Sequence, residues 1–215
     1  MHLPCHELNW SALALSVLAL AAITCSDAAL AQDPGHAADV AAQKVAAGRC
    51  APCHGPAGVS TTSAYPRLAG QQELYFAAQL KAFKAKVRSE PEAHDIMWGM
   101  ATPLDDAMID GLARYYAAQK PGSGKAGDAK LIARGKVLFE SGDTAHNVAA
   151  CSSCHGLAAE GATVVPRLAG QHATYVVRQL DIIQKTVRAS PVMHGVIKDL
   201  DADSMKAVAE YVQSM

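Results

Sequence analysis

Two short stretches carry the reactive side chains of this chain. They are Cys50-Ala51-Pro52-Cys53-His54 and Cys151-Ser152-Ser153-Cys154-His155. Two cysteines two residues apart, followed at once by histidine, read as a c-type haem attachment site. The two thiols add across the vinyl groups of the macrocycle, and the histidine next to them reaches the iron from one face. A zinc site is the competing reading. Zinc usually takes four Cys or His ligands, and neither stretch has a second cysteine pair near it. The cofactor expected is therefore two covalently bound haem c groups, with Cys50, Cys53, Cys151 and Cys154 as the anchors and His54 and His155 as the proximal iron ligands.

The residues around both motifs repeat as well. Pro66-Arg67-Leu68-Ala69-Gly70-Gln71 recurs as Pro166-Arg167-Leu168-Ala169-Gly170-Gln171. Tyr75 matches Tyr175, Gln79-Leu80 matches Gln179-Leu180, and Val87-Arg88 matches Val187-Arg188. Leu104-Asp105 and Tyr115 then find Leu200-Asp201 and Tyr211. Similarity of this length marks a duplicated unit.

The register also selects the second axial ligands. Met193 stands seven residues before Leu200, in a segment punctuated by Pro191 and Gly195 that reads as a loop. Seven residues before the matching Leu104 stands Met97. Met97 and Met193 are thus the expected distal ligands, ahead of Met100 and Met108. His94 and His194 do not coincide in the repeat, so bis-histidine ligation is disfavoured. They are expected to be exposed loop residues, as are His36, His146 and His172. A carbonyl of the Pro66 or Pro166 stretch is a candidate acceptor for the Nδ1 hydrogen of His54 or His155, a bond that would fix the ring. Arg67, Arg88, Arg167 and Arg188 are candidates to pair with haem propionates.

The elements that must position these residues are helices. Apolar residues recur at helical spacing over 40–49, 72–87 and 105–119, and again over 129–141, 171–187 and 201–214. Alternating β-branched runs are almost absent. The expected fold class is all-α. Glycine and lysine crowd 119–128, the linker. The expected organisation is an N-terminal domain over 32–120, a linker over 121–128 and a C-terminal domain over 129–215. Each unit is small for a core of its own, so covalent haem is expected to supply apolar volume that the apoprotein lacks.

The first 31 residues read as a cleaved secretory signal. Trp10 to Ile23 is apolar apart from Ser11 and Ser16, and Ala29-Leu30-Ala31 forms an A-x-A site. Cleavage there removes Cys5 and Cys25 and leaves only the four motif cysteines. Export also suits c-type haem, which is attached outside the bacterial cytoplasm. The expected location is the periplasm. The formal net charge of −1, without a basic stripe or an acidic tail, argues against a nucleic-acid partner.

Taken together, the two CxxCHG motifs, the two PRLAGQ segments with their following Tyr and Gln-Leu, and Met97-Trp98-Gly99-Met100 beside Met193-His194-Gly195-Val196 resemble the cytochrome c4 family. The resemblance covers nearly all of the chain after the leader. It implies two tandem class I cytochrome c domains related by a pseudo-twofold axis, with His/Met ligation in both. It implies a dihaem electron carrier rather than an enzyme, working between redox partner proteins. The donor would be a dehydrogenase or a cytochrome bc1-type complex and the acceptor a terminal oxidase, with peripheral membrane association in some members and no small-molecule substrate. A dihaem subunit of a periplasmic dehydrogenase, such as a flavocytochrome c sulfide dehydrogenase, is the alternative. The distal segments differ between the units, since Trp98 follows Met97 and His194 follows Met193, so unequal potentials are expected.

Overall fold

The computed structural model describes residues 34–215. The expected leader over 1–31, with Cys5, Cys25 and the expected cleavage site at Ala31, lies outside the described residues. Ten α-helical segments and two π-turns carry the described chain, which has two isolated β-bridges and no strand.

The N-terminal unit begins with α1 (Pro34–Val45), which runs through a π-turn (Ala46–Cys50) into the short α2 (Ala51–His54). Next come α3 (Glu73–Lys84), a second π-turn (Ala93–Met97) with α4 (Trp98–Ala101), and α5 (Asp106–Ala117). The C-terminal unit holds α6 (Ala129–Ser141), α7 (Ser152–His155), α8 (Ala173–Gln184), α9 (Pro191–Ile197) and α10 (Ala202–Ser214).

Local chemistry sets the helix ends. Asp105 caps α5 by accepting from Met108 N, and Asp201 caps α10 by accepting from Ser204 N. α3 and α8 stop at Lys84 and Gln184, short of the expected Val87 and Val187. Lys86 and Thr186 both take φ of 58°, a left-handed conformation that no α-helix continues through.

In each unit the first helix packs on the last, α1 on α5 and α6 on α10. Glycine permits the close approach. A Cβ on Gly135 would lie 1.9 Å from the Ala207 carbonyl oxygen, and one on Gly111 would lie 3.0 Å from the Ala42 Cβ. Each unit has its own apolar core. Phe76, Leu80, Phe83, Ile109, Leu112 and Tyr116 centre the first. Phe139, Val176, Leu180, Ile183, Val208 and Val212 centre the second.

A reciprocal exchange of hydrogen bonds joins the two units. Gln71 accepts from Arg167 N at 2.8 Å and donates to Arg167 O at 3.1 Å. Gln171 accepts from Arg67 N at 2.9 Å and donates to Arg67 O at 2.9 Å. Each glutamine amide pairs with the peptide groups of the other unit's arginine, and only a near-twofold relation between the units lets both do so. The segment between the units is laid down closely. Lys125 N donates to Gln213 O at 2.9 Å, and Gly122 and Gly124 sit against Val59 and the C-terminal backbone.

Candidate haem centres

Both CxxCH motifs lie on one-turn helices, α2 and α7. Glycine ends each of them, Gly55 with φ of 78° and Gly156 with φ of 80°. That sharp exit turns the chain so that the PRLAGQ segment passes back over the histidine. Leu68 N donates to Gly58 O and Leu168 N to Ala159 O, both at 2.8 Å. Gly70 N and Gly170 N then reach Tyr116 O and Val212 O in the last helix of each unit. These bonds fix the proline carbonyls, and the two histidines use them identically. His54 Nδ1 lies 2.9 Å from Pro66 O, and His155 Nδ1 lies 2.9 Å from Pro166 O.

A carbonyl can only accept, so each Nδ1 carries the hydrogen and Nε2 keeps its lone pair. Burial pushes both imidazoles below their ordinary value, partly opposed by the proline bond. Both are therefore held neutral, in the tautomer that can bind a metal ion through Nε2. Burial also raises the thiol of Cys50, and that of Cys151 to about 11. Among the described residues no group of three or more His, Cys, Asp or Glu is placed to hold a metal ion.

A cavity of about 1090 Å³ opens beside these residues and runs through both units. It exceeds the roughly 300–1,000 Å³ of ordinary single-ligand pockets. His54, Cys50, Cys53, Met97 and Met100 line it in one unit, and His155, Cys151, Cys154 and Met193 in the other. Met97 and Met193 are half-buried and pack against their cores. Met108 packs on the first core but does not reach the lining. Neither of these two methionines, Met97 and Met193, stands in a loop. Met97 ends the π-turn, and Met193 lies inside α9. Pro191 at the first helical position is well suited to start α9, and Gly195 is tolerated within it.

The residues present fit haem. The lining is mostly apolar side chains, which suits a macrocycle, and polar atoms without partners cluster on it. Arg88 Nε, Glu90 Oε2 and Arg167 Nε are buried and make no hydrogen bond within the described chain. Two guanidiniums in that state suit propionate carboxylates. Arg67 is used differently. It donates to Ser60 O, Ser123 O and Gly170 O, so it holds the units together.

Two histidines, His172 and His194, are less exposed than the loop residues expected. His172 is buried at the contact between units, with Nε2 3.2 Å from Ser60 O. Burial and the Arg67 charge lower its pKa. His194 is half-buried inside α9, with Nδ1 3.3 Å from Ile183 O. His36, His94 and His146 are exposed. The interlocking role of Gln71 and Gln171 was missed by sequence reasoning, although both glutamines stand in the repeated PRLAGQ segment.

A duplicated helical unit, each copy built around a CxxCH helix with an aimed histidine, places this chain among the dihaem c-type cytochromes. Known proteins agree. The family model described as Cytochrome c matches residues 40–118 and again 132–215. The chain is 39% identical over 168 residues to cytochrome c-552 of Acidithiobacillus ferridurans, covering 77% of this chain and 73% of that one. It is 35% identical over 192 residues to cytochrome c4 of Azotobacter vinelandii, covering 84% and 91%. A thiosulfate dehydrogenase electron acceptor of Thiomonas intermedia is 36% identical over 174 residues, covering 77% and 78%. The solved structure of Acidithiobacillus ferrooxidans cytochrome c4 superposes with a TM-score of 0.73 at 38% identity, over 77% of this chain and 98% of that one. The chain belongs to the cytochrome c4 family. It is an electron-transfer cytochrome with two covalently bound haem c groups, and its partners are redox proteins.

Proposed function

We propose that this chain is a periplasmic electron carrier with two His/Met sites, His54 with Met97 and His155 with Met193. It takes electrons from a dehydrogenase or a cytochrome bc1-type complex and passes them to a terminal oxidase or another acceptor. The supporting observation is the duplicated constellation itself: a neutral histidine fixed by a proline carbonyl, with a methionine lining the same cavity, in both units. The haem iron supplies the one-electron couple. The chain's own residues do the rest. Each histidine is held in one tautomer, so its ring need not reorient as the charge changes. The soft methionine sulfur favours the reduced state and raises the potential. The apolar lining keeps water away. A histidine and a methionine that both hold the iron would leave it no place for a substrate, so the site would suit electron transfer rather than turnover. The distal segments differ, so the two potentials are unequal.

The proposal extends to the organisation of the chain, with residues 1–31 as a cleaved export signal, domains over 32–120 and 129–215, and 121–128 joining them. N-terminal sequencing of the secreted protein should begin at Gln32. Methionine ligation is tested by NMR of the reduced protein, which should show two strongly shifted methionine methyl signals. A single such signal would leave one iron with another ligand.

A second reading has a specific support, the similarity to a thiosulfate dehydrogenase electron acceptor. In that reading the chain serves one dehydrogenase as its dedicated acceptor. Rapid reduction by such an enzyme, with co-purification of the two, would favour it over a free carrier.

A further inference from the structure

A polar cluster fills the contact between the two units, and the repeat pairs nearly every member of it. Arg88 and Arg188 both donate to Gln79 Oε1, at 3.1 and 2.7 Å. Both also reach Gln179 Oε1, Arg88 at 3.4 Å and Arg188 more closely. Arg188 donates in addition to the Tyr75 hydroxyl at 2.9 Å. Glu90 is the buried charge here that has no twin. Its register partner is Ser190.

Glu90 is paired with Arg88, and the two side chains are only 3% and 9% exposed. Its Oε2 accepts no hydrogen bond within the described chain, and the residue lines the cavity. A second mismatch points the same way. Glu92 of the N-terminal unit pairs with Arg178 of the other, where the repeat has Val192 and Ala78. The contact therefore sets Arg88, Glu90 and Glu92 from one unit against Arg178 and Arg188 from the other.

The backbone fastens this charge to the methionine side of the N-terminal site. Glu90 O accepts from Ala93 N and His94 N, opening the turn that ends at Met97. Arg88 O accepts from Trp98 Nε1 at 2.7 Å, one residue beyond Met97.

We infer that Glu90 makes the two haem sites unequal and holds the N-terminal site at the lower potential. This rests on the reading of the cavity as two His/Met haem sites. Reduction adds one electron to the site and no proton need accompany it. Glu90 sets a negative charge, shielded from water, on the segment that leads into Met97, and it offsets the Arg88 charge there, and both effects oppose the added electron. Ser190 offers no such opposition in the other unit. Glu90 acts through space and through Arg88, as a tuning residue.

The test is a spectroelectrochemical titration of the holoprotein in four forms: wild type, Glu90→Gln, Glu90→Asp and Ser190→Glu. Each potential is assigned to its site by NMR, and haem content and the far-red methionine band are read on the same samples. Glu90→Gln should shift the electron distribution about tenfold toward the N-terminal site, narrowing the interval by about 59 mV. Glu90→Asp should keep the interval. Ser190→Glu should narrow it from the other side, by lowering the C-terminal potential. An unchanged interval in Glu90→Gln, with two haems and both methionine bands intact, overturns the inference alone. Should Glu90→Gln not fold, an unchanged C-terminal potential in Ser190→Glu overturns it equally. Loss of a haem or of a methionine band from the wild-type sample would instead overturn the reading of the site, and the inference with it.

Discussion

The two units hold their histidines alike and approach them differently. In the N-terminal unit α1 flows into the CxxCH helix through the Ala46–Cys50 π-turn. In the C-terminal unit α6 stops at Gly142, and a turn closed by reciprocal Asp143–Val148 backbone bonds precedes Cys151. The distal sides also differ, a π-turn in one and the helix α9 in the other. Yet the histidine-to-proline distance is 2.9 Å in both. The shared part is the one that fixes ring orientation and protonation. The parts that vary set the surroundings of the ligand and the contact between units. Duplication has kept the ligand frame and freed the elements around it to differ.

The largest effect should follow from removing one anchor pair. Cys50→Ala with Cys53→Ala should leave one haem per chain, and the mirrored Cys151→Ala with Cys154→Ala should do the same. Each double variant should lose helix content from its own unit while the other keeps its spectrum, as two separate cores imply. Haem counting with circular dichroism checks this, and collapse of both units by either variant would break the comparison.

The proposed methionine ligands come next. Met97→Ala and Met193→Ala should each remove half of the far-red band and lower the potential of one site only. Met100→Ala should keep the full band, although Met100 lines the cavity. Ferric spectra decide between Met97 and Met100 directly.

The contact between units should respond symmetrically. Gln71→Ala and Gln171→Ala each strip a buried amide from two peptide groups. Each should cost about 1–3 kcal/mol, the penalty for leaving such groups unpaired. Denaturant unfolding should find the two variants close to one another. A large difference between them would show that the near-twofold relation does not carry the contact.

The smallest effect concerns His172, where the other unit has Gln72. Burial lowers its folded-state pKa below the ordinary value near 6.5. The unfolded chain thus binds the proton more readily. The contribution of neutral His172 is present above about pH 6.5 and is lost as pH falls toward the folded-state pKa. His172→Gln should flatten the stability profile over that window. An unaltered profile would mean that His172 titrates freely.

Much of this organisation was legible in the sequence. The repeat register drew out the two CxxCH motifs and the methionines proposed to face them, and the Pro66 and Pro166 segments offered the carbonyls that the histidines use. The helices that Asp105 and Asp201 cap were legible as apolar periodic runs over 105–119 and 201–214. What failed to show was tertiary in origin. The left-handed residues Lys86 and Thr186 carry no local signal, so α3 and α8 seemed longer than they are. α9 was hidden by a proline and a glycine that normally punctuate loops. His172 looked like a loop histidine because the surface that buries it belongs to the other unit. In the sequence Glu90 is one mismatch of the repeat among several, and its burial against Arg88 gives that mismatch meaning.

The most direct test of the two-site account is an optical spectrum of the purified holoprotein, oxidised and reduced, with haem counted per chain. Two haems per chain, with the far-red methionine band at the strength of two sites, is the predicted result. Two haems with the band at half strength, or a high-spin signal that responds to added ligands, would contradict it by showing that one iron is open or differently ligated.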